Sequence, residues 1–172
     1  VKRNDKGEVL VEAGLWLVDD WLLQKDGTIY PHFITGQDLM HDGRWGNVPT
    51  INGKFRPEYT AKPGERIRLR LINGANARIF SPHIEGLSAT VIAVDGRPVT
   101  KFFNLDNFVL SPGNRIDLDV RIPEHAGGNT FTVGDRFTRK AFLLASIKVI
   151  QSEAVEPPDV NPPTATDFIP AQ

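Results

Sequence analysis

At 172 residues the chain has room for one domain and an extension, on the order of 150 residues making a domain, and it is too short for a large multi-site enzyme. Twenty basic residues against 21 acidic ones leave a net charge of −1, which offers no electrostatic footprint for a nucleic acid or an anionic membrane. Hydrophobic residues at 40%, with no run near the roughly 20 apolar residues of a membrane span, read as a soluble folded chain, and the lack of cysteine excludes thiol nucleophiles, disulfides, iron–sulfur clusters and a blue-copper centre within this stretch.

Glycine and proline, 15 and 13 residues, punctuate the chain evenly, and the runs between them are short and β-branched or alternating, which is an all-β rhythm and implies a sandwich or barrel. The chain opens on Val1 with neither an initiating Met nor a leader pattern, and is read as a fragment. Trp16 and Trp21 are five apart, so on one strand they face opposite sides and at least one belongs to the core. Asp19 and Asp20 likewise point to opposite faces, which makes them structural rather than a cooperating carboxylate pair.

From Gln24 to Pro49 runs a long polar, Gly-bearing segment, expected as a surface excursion packed by Trp45, Phe33 and Ile34. It carries His32, His41, Asp38 and Asp42, a set that would hold a metal only if the loop folded them together; ordinary loop polarity is the simpler reading. Met40 is the only methionine, so no thioether cluster for copper(I) is present.

Strands are expected at Ile67–Ile72, Ala89–Val94, Phe108–Leu110, Arg115–Ile122, Thr130–Val133 and Phe142–Ile150. Asp26-Gly27, Asp42-Gly43, Asn52-Gly53, Asn73-Gly74 and Asp95-Gly96 supply turn pairs tolerant of positive φ. Pro63-Gly64 and Pro112-Gly113 each feed an alternating strand, one carrying Arg66, Arg68 and Arg70 on its polar face and the other Asp117 and Asp119. Both faces are expected to be exposed, and neighbouring strands would set Arg against Asp in cross-strand pairs. His125 falls in a turn-like Glu124-His125-Ala126-Gly127-Gly128. From Glu153 to Gln172 the chain becomes polar and Pro-rich, so 1–152 is expected as the domain and 153–172 as a semi-rigid linker.

Nowhere is there a His-x-His pair, a Gly-x-Ser-x-Gly, a phosphate-binding Gly loop or a placeable Ser/His/Asp set, and no catalytic, cofactor-binding or metal-ligating residue is assigned. His83 and Glu85 share one side of a strand over 80–86, as two ligands would. A resemblance emerges in Thr50-Ile51-Asn52-Gly53-Lys54, Arg66 through Gly74, Val91 through Val99 and Leu110 through Asp117, with Leu17-Val18-Asp19-Asp20-Trp21 at the opening. Together these segments, spanning about Leu15 to Ile150, resemble the central cupredoxin domain of three-domain multicopper oxidases.

The resemblance implies a cupredoxin-like Greek-key β-sandwich or barrel, flanked in the same chain by cupredoxin domains that hold the copper, in a periplasmic or extracellular setting. In the family's copper-bearing repeat the segment comparable to Phe80–Gly86 reads His-Pro-x-His-x-His-Gly. Only His83 matches a ligand position here, with Phe80 and Glu85 at the other two, so His83 is read as a structural remnant. The implied role is to position the first and third domains and, through the 24–49 loop, to shape substrate access in a parent that couples substrate oxidation to reduction of dioxygen to water. Two rivals share these features. One is the middle domain of a copper-free, multicopper-oxidase-like structural or protein-binding protein of the cell envelope, separable only by the flanking ligand segments. The other is a free-standing sandwich that binds a carbohydrate or other small ligand on a platform of Trp16, Trp21 and Trp45.

Overall fold

A computed structural model describes residues 2–3, 9–40, 43–139, 141–156, 162 and 164. Two sheets face each other. The larger has the order β1 (Lys2–Arg3), β2 (Val9–Trp21), β5 (Arg66–Asn73), β9 (Arg115–Arg121), β7 (Ala89–Val94), β8 (Arg97–Asn104), with β3 (Val48–Ile51) also on β2. The smaller has the order β4 (Glu58–Ala61), β11 (Phe142–Val149), β10 (Thr130–Asp135), β6 (Pro82–Ile84). β2 runs parallel to β5 and β4 parallel to β11, while the other pairings are antiparallel. The expected all-β sandwich is the fold observed, and no helix among the described residues is long and apolar enough to cross a membrane.

Period-two alternation decides which face is inside. On β9, Ile116, Leu118 and Val120 point into the core, opposite Leu71, Leu69 and Ile67 of β5, and Trp16 and Val18 of β2 join them. From the other sheet come Val133, Leu144, Ala145, Ile147 and Val149; a register shift after Val133 lets Leu144 and Ala145, adjacent in sequence, both be buried. Asp95-Gly96 closes the β7–β8 hairpin with φ of 48° and 83°, both in the region where Gly and Asp are tolerated.

Several expectations need correction. Phe108–Leu110 is not a strand: Asn104 caps a 3-10 turn over Leu105–Asn107 by accepting from the Asp106 N–H, and Leu110 makes only an isolated bridge to Phe80. Asn73-Gly74 is a corner held by a side chain rather than by positive φ. Buried Asn73 donates to the carbonyls of Arg78 and Leu110 and accepts from the Ala75 N–H. Strands β1, β3, β4 and β8 are additions to the expected set, and Pro49 belongs to β3, so the loop is 22–47. Of the tail, the described part begins along the domain, with the Val155 N–H donating to the Pro63 carbonyl at 2.9 Å; residues 157–172 lie outside the described residues, except 162 and 164.

Candidate functional site

The Arg and Asp faces meet as expected, because β5 and β9 are neighbours in a register that sets Arg68 opposite Asp119 and Arg70 opposite Asp117. The side chains lean diagonally. Arg66 grips Asp119 through Nε–Oδ1 at 2.7 Å and Nη2–Oδ2 at 3.0 Å, while Asp117 receives Arg70 in the same two-pronged way and Arg68 as well. The face is less exposed than its composition suggests: Arg66 and Asp117 are buried. β9 lies inside the sheet between β5 and β7, so its carboxylates sit beneath the guanidinium groups that pair with them. Burial works to raise the Asp117 pKa, but hydrogen bonds and charge from Arg70 and Arg68 outweigh it and hold the carboxyl below the usual carboxylate range.

His83 occupies the middle of β6, opposite Gly134 of β10. A Cβ at Gly134 would collide with the His83 ring, so the glycine makes the space that the imidazole fills. The ring is buried and its Nδ1 has no hydrogen-bond partner. Burial first, then the charge of Arg136, pushes its pKa below the usual imidazole range, against the pull of Asp106, Glu85 and Asp135. Glu85 lies at the surface, accepting from the Thr132 hydroxyl, and Phe80 is fully buried in the core.

The 22–47 loop begins as a small hairpin in which Leu23 bridges Ile29 and the Asp26 carboxylate accepts from the N–H and hydroxyl of Thr28. Next comes α1 (Gly36–Met40), where Asp38 accepts from the Thr35 N–H while the Thr35 hydroxyl accepts from the Asp38 N–H. Those bonds engage Asp38 in capping. His32 is exposed, edge-on to Tyr30, and His41 and Asp42 lie outside the described residues. Only part of the expected loop packing is found. Trp45 rests against Phe137, but Phe33 and Ile34 are 64% and 76% exposed, with Leu39 and Met40 exposed beside them in sequence.

The three tryptophans do not form a platform. Trp16 is in the core, stacked on Tyr59 at 4.5 Å, Trp21 lies at the surface end of β2, and Trp45 sits in the loop. Trp16 and Tyr59 line a cleft of about 190 Å³ between the sheets with Ile67, Leu69, Val120 and Ile147.

The family model described as multicopper oxidase matches residues 12–140. The chain belongs to the multicopper oxidase family. Within it, the chain is 31% identical over 144 residues to the multicopper oxidase MmcO of Mycobacterium tuberculosis, a match covering 83% of this chain and 25% of that protein. It is 33% identical over 121 residues to Laccase-3 of Thanatephorus cucumeris, covering 63% of this chain and 21% of that one. The crystal structure of a multi-copper oxidase from Pseudomonas thermotolerans superposes with a TM-score of 0.73 at 27% identity, over 88% of this chain and 36% of that one. This multicopper oxidase chain thus spans a fifth to a quarter of the length of those two curated relatives and about a third of the solved one.

The family's metal is copper, and the residues around His83 do not fit it. One imidazole, a buried phenyl ring at Phe80 and a surface carboxylate at Glu85 are no soft or nitrogen-rich donor set, and no group of three or more His, Cys, Asp or Glu side chains converges among the described residues.

Proposed function

We infer that this chain is the central, copper-free domain of a multicopper oxidase and acts as a spacer that positions the copper-bearing first and third domains of the same polypeptide. The observation that carries the reading is the pairing of the family's sandwich with a ligand segment reduced to His83, set between Phe80 and Glu85. Its coverage of about a third of a solved relative supports the presence of flanking domains. In this reading the parent couples substrate oxidation to reduction of dioxygen to water in a periplasmic or extracellular setting, with residues 153–172 as the link to the third domain.

The chain's own contribution is geometric. The sandwich core supplies a rigid block, and the 22–47 loop presents Phe33, Ile34, Leu39 and Met40 outward from a base hydrogen-bonded to the sandwich through Gly46, as a surface for a neighbouring domain along the substrate approach. The test is His83→Ala in the intact protein, with copper measured by atomic absorption. Copper content is expected to be unchanged, and its loss would overturn the copper-free assignment. Alongside it, Phe33→Ser with Ile34→Ser is expected to leave the domain's stability within about 0.5 kcal/mol, since both side chains are exposed, while shifting the KM for substrate severalfold. An unchanged KM would remove the loop from the substrate path.

A further inference from the structure

The base of the 22–47 loop is fastened to the sandwich around one buried cation. Arg78 leaves the β5–β6 connection with its side chain 3% exposed. Its Nη1 donates to the Gly46 carbonyl at 3.1 Å and lies 3.8 Å from Asp20 near the end of β2, and its Nη2 lies 3.7 Å from Asp135 on β10. The rings of Trp45, Phe80 and Phe142 stand 4.6 to 5.5 Å from its Cζ. Asp20 in turn accepts from the Gly46 N–H, so one loop residue is held through both its N–H and its carbonyl. Gly46 has no room for a side chain, since a Cβ there would stand 2.7 Å from the Trp21 backbone, and the Asn47 N–H donates to the Trp21 carbonyl at 2.9 Å.

Charge in this cluster does not balance. Two carboxylates, 2% and 0% exposed, share one guanidinium. Asp135 Oδ1 accepts from the N–H groups of Ser81 and Phe137, but its Oδ2 is buried without a hydrogen-bond partner, as are Nε and Nη2 of Arg78. An excess negative charge away from water, with ion pairs longer than hydrogen bonds, is relieved when one carboxylate takes up a proton.

We propose that Arg78, Asp20 and Asp135 are the positioning cluster of the 22–47 loop and that the loop closes on it with uptake of one proton at Asp20, so that the loop is held more tightly as the pH falls. Asp20 is the member suited to this, because it is the carboxylate that the loop covers: it accepts from the Gly46 N–H, whereas Asp135 is bonded by Ser81 and Phe137 outside the loop. Burial raises its pKa above the ordinary carboxylate value, with help from Asp19, and prevails over the Gly46 hydrogen bond and the charge of Arg78. The charged and titratable groups around it are Asp19 on its own strand and Arg78 across the corner; beyond Arg78 lies Asp135, whose own neighbours are Arg136 in the chain and His83 on β6. Opening the loop would return Asp20 to water and to an ordinary pKa, so the closed form binds the proton more tightly. Between the two pKa values, each unit fall in pH strengthens closure by up to about tenfold. A simple salt-bridge clasp would behave in the opposite way and loosen in acid. The inference holds whatever the loop's outer residues dock against, so it can fail or stand independently of the spacer reading.

Hydrogen exchange in the intact protein tests it, followed from pH 7.5 to 4.5 with intrinsic rates divided out, at the amides of Tyr30, Gly46 and Asn47 and at Leu118 in β9 as a reference. Loop protection relative to Leu118 is expected to rise severalfold on acidification, and Asp20→Asn is expected to show the high protection already at neutral pH with a flat profile. Loosening of the wild-type loop in acid, or a loop loosened at neutral pH by Asp20→Asn, would overturn the proposal. A pH response that survives in Asp20→Asn would overturn the assignment to Asp20. As a second variant, Arg78→Lys keeps the cation without the planar fork; it is expected to lower loop protection at every pH yet retain the rise in acid, and a flat profile there would also sink the idea.

Discussion

On the outer face of the large sheet, buried Asp117 is shared by two guanidinium groups that both hydrogen-bond to it, whereas at the loop base two buried aspartates share Arg78 and neither bonds it directly. The two carboxyls respond in opposite directions. The pKa of Asp117 is depressed despite burial and that of Asp20 is raised by it. Burial alone therefore does not fix the direction in which the pKa of an aspartate moves; the donors and charges that reach it do. The sheet-face cluster lends stability at neutral pH, while the loop-base cluster is a site of electrostatic tension that the fold tolerates in order to hold a long loop.

Removing the single cation should have the largest effect. Arg78→Met leaves two buried carboxylates with no buried counter-charge and is expected to cost about 3–5 kcal/mol, read as a fall in the urea midpoint. A loss under about 1 kcal/mol would mean that water already solvates the cluster. Next comes Asp117→Asn, which weakens the bonds to Arg68 and Arg70 and is expected to cost about 1–3 kcal/mol at pH 7. Its pH dependence sharpens the contrast. A carboxyl with a depressed folded pKa contributes stability that is present above its unfolded value near 4 and lost as the pH falls through the folded value, so Asp117→Asn should flatten the acid limb of the stability curve. For Asp20, raised in the folded state, the destabilisation is present above the folded value and relieved as the pH falls, so the two asparagine variants should bend the curve in opposite senses. The smallest effect belongs to Arg70→Ala, whose half-exposed side chain is expected to contribute about 0.2–1 kcal/mol and less at high salt.

The same two clusters show how far the sequence can be read. Arg66, Arg68 and Arg70 stand at every second position, as do Asp117 and Asp119, and that periodicity is a local property of a strand, so the ladder is legible in the sequence. Its burial is not, because how deep a sheet face lies depends on which strand neighbours it, and the order β5-β9-β7 is set by the whole topology. The cluster at the loop base leaves no sequence signal at all. Asp20, Gly46, Arg78 and Asp135 come from four separated segments, and only the packing of β2, the loop, the β5–β6 connection and β10 brings them together. Asp20 reads as structural from its strand position, and its place beside Arg78 gives that reading a partner. The loop's outer residues go the other way: apolar side chains at Phe33 and Ile34 suggest packing, and the structure leaves them in solvent.

What the sequence determined by itself is what short-range stereochemistry determines: an all-β chain from alternation and turn pairs, a hairpin at Asp95-Gly96, the core faces of β5 and β9, and, through the resemblance, the family to which the chain belongs. Tertiary structure alone decided that Trp16 is core and Trp21 surface, that His83 fills the space beside Gly134, and that three charges from distant segments close around the loop. The division has a physical cause. Backbone periodicity acts over two to four residues, whereas the protonation and pairing of a buried charge depend on every group that packs around it, wherever along the chain that group lies.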